Sequence, residues 1–339
     1  MAEEGADRVE SEAEIISAYM APLAAGFGGA LGLTDDCAVL SPPPGGDLVL
    51  TTDSMIEGVH FRAGDIPAYK ALAANVSDLA AKGARPLIYL LTLALPRAPE
   101  RRWLAAFTAE LATAQAAFGC HLAGGDTDRT PGPLTVTIAA IGVVPEGAMV
   151  RRSTASAGDL LCVTGTIGDA MLGLRLACEP ALAAAWGLDD AGTCHLGERL
   201  ARPTPRHALA AALRACASAC IDVSDGLVKD LRHLCGASGL GARVELAEVP
   251  LSPAARQIVD RGGAGIEHLI SGGEDYELLM AVPPSRLGAL REAAAAAGIG
   301  LTAIGALEQG ADVVFLDQAG ARVEISRGGW EHFEARRES

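Results

Sequence analysis

Residues 86–95, PLIYLLTLAL, and residues 133–144, PLTVTIAAIGVV, are the longest apolar runs in the chain, and their reading decides the fold class. A membrane-spanning helix needs about 18 or more apolar residues without a break, so both runs are too short and read as buried strands. Between them, residues 100–118 are alanine-rich and helix-forming, and a short strand then runs into Gly124-Gly125-Asp126. Upstream, residues 67–82 read as a helix opened by Pro67 and stopped by Gly83, with short strands at 38–40 and 48–52. Downstream come a strand at 160–164, a helix from Asp169, helices at 206–218 and 227–235, and a strand at 242–246. A helix at 253–261, a strand at 277–282, a helix at 285–297 and terminal strands reaching Ile325 complete the pattern. Strands and helices alternate throughout, which places the chain in the α/β (α+β) class.

At 339 residues the chain exceeds the length at which one core usually stops growing, so two domains are expected. The pattern breaks at residues 145–159, PEGAMVRRSTASAGD, as a connector would, and the domains are therefore set at 1–148 and 149–339. Half the residues are hydrophobic, which excludes disorder as the default. The net charge is −15, from 27 Lys plus Arg against 42 Asp plus Glu. That balance argues against a nucleic-acid partner, whose phosphates would need cations. No membrane partner is expected either. The acidic opening MAEEGADRVESEAEII lacks the basic and apolar segments of a signal peptide, so a cytoplasmic location follows, with reduced thiols. The eight cysteines include no C-x-x-C pair, and most sit beside Ala, Leu or Val as buried thiols do.

Acidic residues interrupt this apolar pattern in five places: Asp35-Asp36, Asp53 ending LVLTTD, Asp78 within AANVSDLAA, Asp126 in LAGGDTD, and Asp222 with Asp225 in ACIDVSDGL. Taken singly, each is read at least as well as a turn residue or helix cap. Collectively, with the hydroxyls of Thr51, Thr52 and Ser224 beside them, they exceed what capping requires. Buried carboxylates must be paired, neutralised or metal-bound, few Lys or Arg lie close in sequence, and all-oxygen donors suit Mg²⁺.

Glycine adds a second signal. Gly124-Gly125-Asp126, Gly165-Thr-Ile-Gly168-Asp169 and Ser271-Gly272-Gly273-Glu274-Asp275 suggest loops whose amides approach phosphate, with Arg151 and Arg152 as candidate phosphate contacts or a solvated surface pair. The Walker pattern, the protein-kinase H-R-D and D-F-G pair, the G-x-S-x-G elbow and H-E-x-x-H are absent. Residues 26–32 only superficially match a dinucleotide loop, because Leu31 stands at the third glycine position. His60 follows Asp53 closely enough to enter the same cleft, or is an ordinary partly buried histidine.

Ten segments in order now resemble the thiamine-monophosphate kinase family of the PurM-like, aminoimidazole-ribotide-synthetase-related superfamily. They are LTDDCAVL, TTDSMIEGVHF, AYKALAANVSDLAAKGARP, LAGGDTDR, RRSTASAGD, VTGTIGDA, RPTPR, IDVSDGL, SGGEDYEL and GGWEHF, spread over residues 33–333. The resemblance implies a two-domain PurM-like fold, with an N-terminal sheet that forms a dimeric barrel with a second copy and a C-terminal α/β domain. It implies transfer of the ATP γ-phosphoryl group to thiamine monophosphate, giving thiamine diphosphate and ADP, with ATP as co-substrate and a homodimer as the assembly. By matching position, Asp36, Thr51, Thr52, Asp53, Asp78, Asp126, Asp222 and Asp225 would hold several Mg²⁺ ions, and Asp53, Asp222 and Asp225 would be catalytic. Gly125, Asp126, Arg152 and Ser224 would lie at the ATP phosphates, and His60, Glu274 and Trp330 at the thiamine phosphate. A cation-attracting aromatic such as Trp330 suits a thiazolium.

One position departs from the family pattern: Thr34 stands where G-I-G-D-D has a glycine. If that glycine needs a positive φ, Thr34 carries about 1 kcal/mol or more of strain. The competing readings are another ATP-dependent synthetase of the superfamily, or a non-catalytic nucleotide- or thiamine-phosphate-binding regulator. The selenophosphate branch fits less well, since its reactive Cys beside Lys has no counterpart in residues 1–36, which contain neither.

Overall fold

The structure, a computed structural model, describes residues 8–9, 11–325 and 328–330. Residues 1–7 and 10 of the acidic opening and residues 331–333 of GGWEHF lie outside the described residues. The chain divides into two compact units, one running to Leu79 and taking in Ala84–Met149, the other combining Ala80–Gly83 with the chain from Val150 onward.

The first unit begins with α1 (Glu12–Glu14), capped by the Ser11 hydroxyl, which accepts from the Glu14 amide at 3.2 Å. A wider helical turn, Ile15–Met20, leads into α2 (Ala21–Ala24). Then follow β1 (Gly46–Ile56), α3 (Ala68–Ala81), β2 (Arg85–Leu95), α4 (Arg101–Phe118), β3 (His121–Arg129) and β4 (Thr135–Pro145). The two apolar runs are β2 and β4, the neighbouring inner strands of a sheet ordered β1-β4-β2-β3. Their inner position explains their composition. Tyr89, Leu91 and Leu93 pair with Ala140, Ile138 and Val136, and all six are buried on one face. α4 presents Leu104, Phe107, Leu111, Ala114 and Phe118 to the core at three- and four-residue spacing, and ends on Gly119 at φ 69°.

The expected strand at 38–40 is not formed. Val39 makes one main-chain bond, donating to Gly29 O at 2.8 Å, and Ser41-Pro-Pro-Pro44 follows, whose prolines cannot donate to a ladder. Ala38 and Leu40 instead pack from coil, with Phe27, Leu48 and Leu87, onto Ile88, Ala123 and Ile141.

The second unit contains β5 (Leu160–Thr164), α5 (Asp169–Cys178), α6 (Leu182–Trp186), α7 (Asp190–Ala201), α8 (Ala210–Cys216), β6 (Ala219–Val223), α9 (Leu227–Ser238) and β7 (Gly241–Glu245). It continues through α10 (Pro253–Asp260), α11 (Ile266–Ile270), β8 (Glu277–Val282), α12 (Leu287–Ala296), β9 (Leu301–Glu308), β10 (Val313–Leu316) and β11 (Arg322–Val323). Its seven strands are ordered β11-β10-β7-β9-β5-β8-β6. β10 and β7 run parallel; the other neighbours run antiparallel. β5 and β8 match the expected bounds. β6, α6, α7 and α11 are additions to the sequence reading, and the helix expected at 206–218 gives up its last residues to the turn before β6. β6 is fully buried but only five residues long, with Asp222 interrupting its apolar run, so its pattern is weak.

One ion group lies inside this unit. The Glu277 carboxylate, fully buried, accepts from Arg199 Nη2 at 2.9 Å, from Arg206 Nε at 2.6 Å and from Thr164 Oγ1 at 2.6 Å. Arg206 Nη2 also donates to it. Thr164 Oγ1 in turn accepts from the Leu278 amide at 2.8 Å. Gly165, at φ 55°, is required beside it, because an added Cβ would stand 2.1 Å from Glu277 Oε1. Glu277→Ala should strand two largely buried guanidinium groups and lower stability by about 3–5 kcal/mol in chemical denaturation. A loss below about 1 kcal/mol would show that these arginines find water instead.

Candidate functional site

The candidate residues of the first unit sit on β1, α3 and β3. Strand alternation puts Thr51 and Asp53 on the face that carries Ala140 and Ile138, and Thr51 Oγ1 donates to Asp78 Oδ2 on α3. Thr52 points to the other face, its hydroxyl donating to Ile138 O at 3.1 Å. His60 Nδ1 accepts from the Ile56 amide at 3.0 Å, which leaves the proton on Nε2, and Lys70 Nζ donates to His60 O at 3.3 Å. Gly125 is paired with Leu91, where an added Cβ would lie 1.8 Å from Leu91 O, so no other residue fits.

Cross-strand pairing then separates two carboxylates that the sequence groups together. Asp53 pairs with Ile138, Ile138 with Leu91, and Leu91 with Gly125, so these four share one face. Asp126 pairs with Thr92, in the row of Thr137 and Ser54 on the opposite face. β1 and β3 are the sheet's two edges, three strand spacings or about 14 Å apart. Asp53 and Asp126 of one chain are therefore too far apart to share an ion.

Asp35 and Asp36 are exposed and follow a short 3₁₀ segment, Gly28–Leu33. The strain expected at Thr34 is not there: its φ is −107°, and its hydroxyl donates to Leu31 O at 2.8 Å. The left-handed positions are Leu31 (φ 52°), Gly32 (φ 67°) and Leu33 (φ 57°), three in a row, so the backbone demand falls just before the substituted position.

In the second unit Asp222 is the penultimate residue of β6, and residues 224–226 lead into α9. Asp230 on α9 receives the amides of Ser224 and Asp225 on one carboxylate oxygen, at 3.1 and 3.0 Å. Burial, followed by the nearby Asp225 charge, pushes the Asp230 carboxyl up to about 7. The loop 271–276 is fastened alongside: the Glu274 amide donates to Ser224 O at 2.7 Å and the Tyr276 amide to Val223 O at 2.8 Å. Glu274 (φ 71°) and Tyr276 (φ 51°) are non-glycine residues in the left-handed region, a sign of a loop held in place by its surroundings. Trp330 joins the same group through its amide, which donates to Asp225 O at 3.0 Å, while its side chain is half exposed. Asp222, Ser224, Asp225, Glu274 and Trp330 are thus brought together. Arg151 and Arg152 are exposed; the Arg152 carbonyl accepts from Ser238 Oγ at 2.9 Å, at the far end of α9 from Asp225.

Two glycine loops are not phosphate cradles. In residues 165–169 the Gly165 amide donates to Gly300 O, the Ile167 amide to Pro250 O, and the Gly168 amide to Asp275 Oδ1 and Oδ2 at 3.0 and 2.9 Å. In residues 271–276 the Glu274 and Tyr276 amides close the clasp just described. Their glycines serve close packing instead: Gly273 would place a Cβ 2.4 Å from Ser224 O. Asp275, fully buried at the amino end of α5, was not legible as a structural acid, because its neighbours in sequence mark it only as part of a polar loop.

The eight cysteines form no disulfide. Cys120, Cys162, Cys216, Cys220 and Cys235 are buried, and burial pushes Cys120 and Cys220 up to about 12 and Cys162 and Cys235 up to about 11, so these four are inert thiols. Among the described residues no cluster of three or more His, Cys, Asp or Glu forms a closed metal cage. Carboxylates offered in ones and twos beside hydroxyls suit Mg²⁺, which keeps waters and takes phosphate oxygens as its other ligands.

Comparison with known proteins agrees over nearly the whole chain. Residues 34–144 match the N-terminal domain, and residues 156–317 the C-terminal domain, of AIR synthase related protein. The thiamine-monophosphate kinase of Caulobacter vibrioides is 42% identical over 329 residues, covering 95% of this chain and 91% of that protein. The crystal structure of thiamine-monophosphate kinase from Stenotrophomonas maltophilia superposes with a TM-score of 0.77 at 39% identity, covering 84% of this chain and 89% of that one. A structure of AaThiL complexed with AMPPCP and TMP superposes with a TM-score of 0.74 at 32% identity, covering 88% and 91%.

Burial raises the Asp275 carboxyl well above its ordinary value, outweighing the Gly168 amide and the Arg199 charge. A raised acid contributes stability that is complete below the ordinary carboxylate range and is lost as pH climbs through the raised value. Asp275→Asn, a neutral near-isostere, should therefore gain on the wild type in thermal unfolding as pH rises from about 4 towards 8. Melting curves that stay parallel across that range would show that Asp275 is charged in the fold.

Proposed function

The chain belongs to the AIR synthase related family, in its thiamine-monophosphate kinase branch, and on that premise we propose that it transfers the ATP γ-phosphoryl group to thiamine monophosphate. The products are thiamine diphosphate and ADP. The observation that carries this reading is the fastened group of Asp222, Ser224, Asp225, Glu274 and Trp330, in a chain whose relative binds both an ATP analogue and TMP.

A phosphate oxygen of thiamine monophosphate attacks the γ-phosphorus as the bond to the β-phosphate oxygen breaks, so ADP leaves with that oxygen and no enzyme nucleophile is needed. The chain's task is to align two anions and keep them from repelling. Asp36, Thr51, Thr52, Asp53, Asp78, Asp126, Asp222 and Asp225 are proposed to hold several Mg²⁺ ions, which would supply positive charge to neutralise the phosphates. Asp53, Asp222 and Asp225 stand nearest the chemistry in this reading. Gly125, Asp126, Arg152 and Ser224 orient the ATP phosphates. His60 offers Nε2–H, Glu274 a carboxylate and Trp330 an aromatic face to thiamine monophosphate. Because Asp53 and Asp126 lie on opposite faces of the first unit's sheet, they serve different ions.

That same sheet supports the homodimer proposal. Leu50 (70% exposed) and Leu90 (41%) stand on the face opposite α3, on strands where soluble monomers rarely leave leucine open. A second copy is the proposed cover. No helix among the described residues is long and apolar enough to cross a membrane, and we propose a cytoplasmic enzyme.

Purified protein given ATP, Mg²⁺ and thiamine monophosphate should form thiamine diphosphate, and free thiamine should not be phosphorylated. Asp222→Asn should keep the fold but lower turnover by about 100-fold or more. Normal turnover by that variant at limiting Mg²⁺ would overturn the metal assignment, and Mg²⁺-dependent ATP binding without product would favour the regulator. Leu50→Asp should shift sedimentation from dimer to monomer; a wild type that sediments as a monomer removes the dimer proposal.

A further inference from the structure

Residues 328–330 run back along the first turns of α9. An added Cβ at Gly328 would lie 3.4 Å from Arg232 Nη1, and one at Gly329 would lie 2.5 Å from Lys229 Cβ and 2.8 Å from Asp225 O. Gly329 has φ 130°, so a side chain there is excluded both by space and by backbone. Trp330 then reaches the start of the helix, where its amide donates to Asp225 O at 3.0 Å. Lys229 closes the arrangement from the other side. Its Nζ donates to Trp330 O at 2.5 Å and pairs with Asp225 Oδ2 at 2.8 Å, and its side chain is only 17% exposed.

Trp330 is therefore pinned through its main chain at both its amide and its carbonyl while 49% of the residue stays exposed. An aromatic that closed a core would be held by burial of its ring. Holding the backbone and leaving the ring open is what positions a ring for a ligand. The Lys229 side chain touches both the carbonyl of Trp330 and the carboxylate of Asp225.

We propose that Lys229 is a positioning residue that latches the 328–330 segment onto the Asp225 loop, and so sets the Trp330 ring where it meets the thiamine moiety of the acceptor substrate. The inference rests on the kinase reading above. It adds a residue that contacts no substrate itself and acts through Trp330.

Two measurements on the full-length protein test this. In steady-state kinetics Lys229→Met, which keeps the stem and removes the charge, should raise KM for thiamine monophosphate about tenfold, with KM for ATP and kcat within about twofold; one charge-assisted hydrogen bond is of that size. Lys229→Arg should recover most of the loss. A uniform fall in all parameters with a lowered melting temperature would reduce Lys229 to a structural tether, and an unchanged KM for the acceptor would remove the latch altogether. Independently of turnover, hydrogen exchange at the Trp330 amide should be protected in the wild type and in Lys229→Arg and fast in Lys229→Met. Fast exchange in the wild type would overturn the latch. Protection in the wild type, lost in Lys229→Met, in a protein that makes no thiamine diphosphate would uphold the latch and refute the kinase reading.

Discussion

Two main-chain hydrogen bonds, from the Glu274 amide to Ser224 O and from the Tyr276 amide to Val223 O, fix the centre of the candidate site in the second unit. They fasten a loop with two left-handed non-glycine residues to the loop that carries Asp222 and Asp225. Such conformations persist only where neighbours over-determine them; here Asp275 within the loop is held by the Gly168 amide, and Asp230 holds the Ser224 and Asp225 amides of the facing loop. Glu277 continues the same stretch of chain into β8, where two arginines and a threonine satisfy it. The segment 274–277 is therefore anchored at its far end by an ion group and at its near end by the clasp. A site built this way starts from fixed geometry, which phosphoryl transfer requires more than it requires a reactive side chain.

The acidity of the chain takes on a meaning at this point. A protein of net charge −15 that handles two phosphorylated reactants needs cations between its carboxylates and its substrates. Burial alone does not sort the carboxylates, since Asp222, a proposed metal ligand, is itself buried. Asp230, Asp275 and Glu277 are buried and spend their oxygens on amides or guanidinium groups, so they are structural. Asp53, Asp126 and Asp225 remain at least partly open. Sequence adjacency does not sort them: Asp275 and Glu274 are neighbours, yet one supports the fold and the other is a candidate ligand contact.

The alternation of strands and helices was legible in the residues, because side-chain periodicity and turn chemistry are local properties. Where the reading failed, long-range structure had intervened. Residues 38–40 pair like no strand because the prolines after them deny the ladder its donors. Residues 165–169 look like a phosphate loop until Asp275, 107 residues away from Gly168, takes its amide. Thr34 carries no left-handed strain, because the positive-φ run falls on Leu31, Gly32 and Leu33 just before it.

The sequence by itself determined which residues are available for this chemistry and in which class of fold they stand, since ten motifs in order leave little freedom of family. Only the tertiary structure decided which of them lie together. Strand register put Asp53 and Asp126 on opposite faces, because side chains alternate with a period of two and pairing, not spacing, sets the phase. Chain reversal brought Trp330 back to Asp225 across more than one hundred residues, and Lys229 secured it there. Contacts between residues so distant in sequence are set by packing of the whole unit, and no local pattern encodes them.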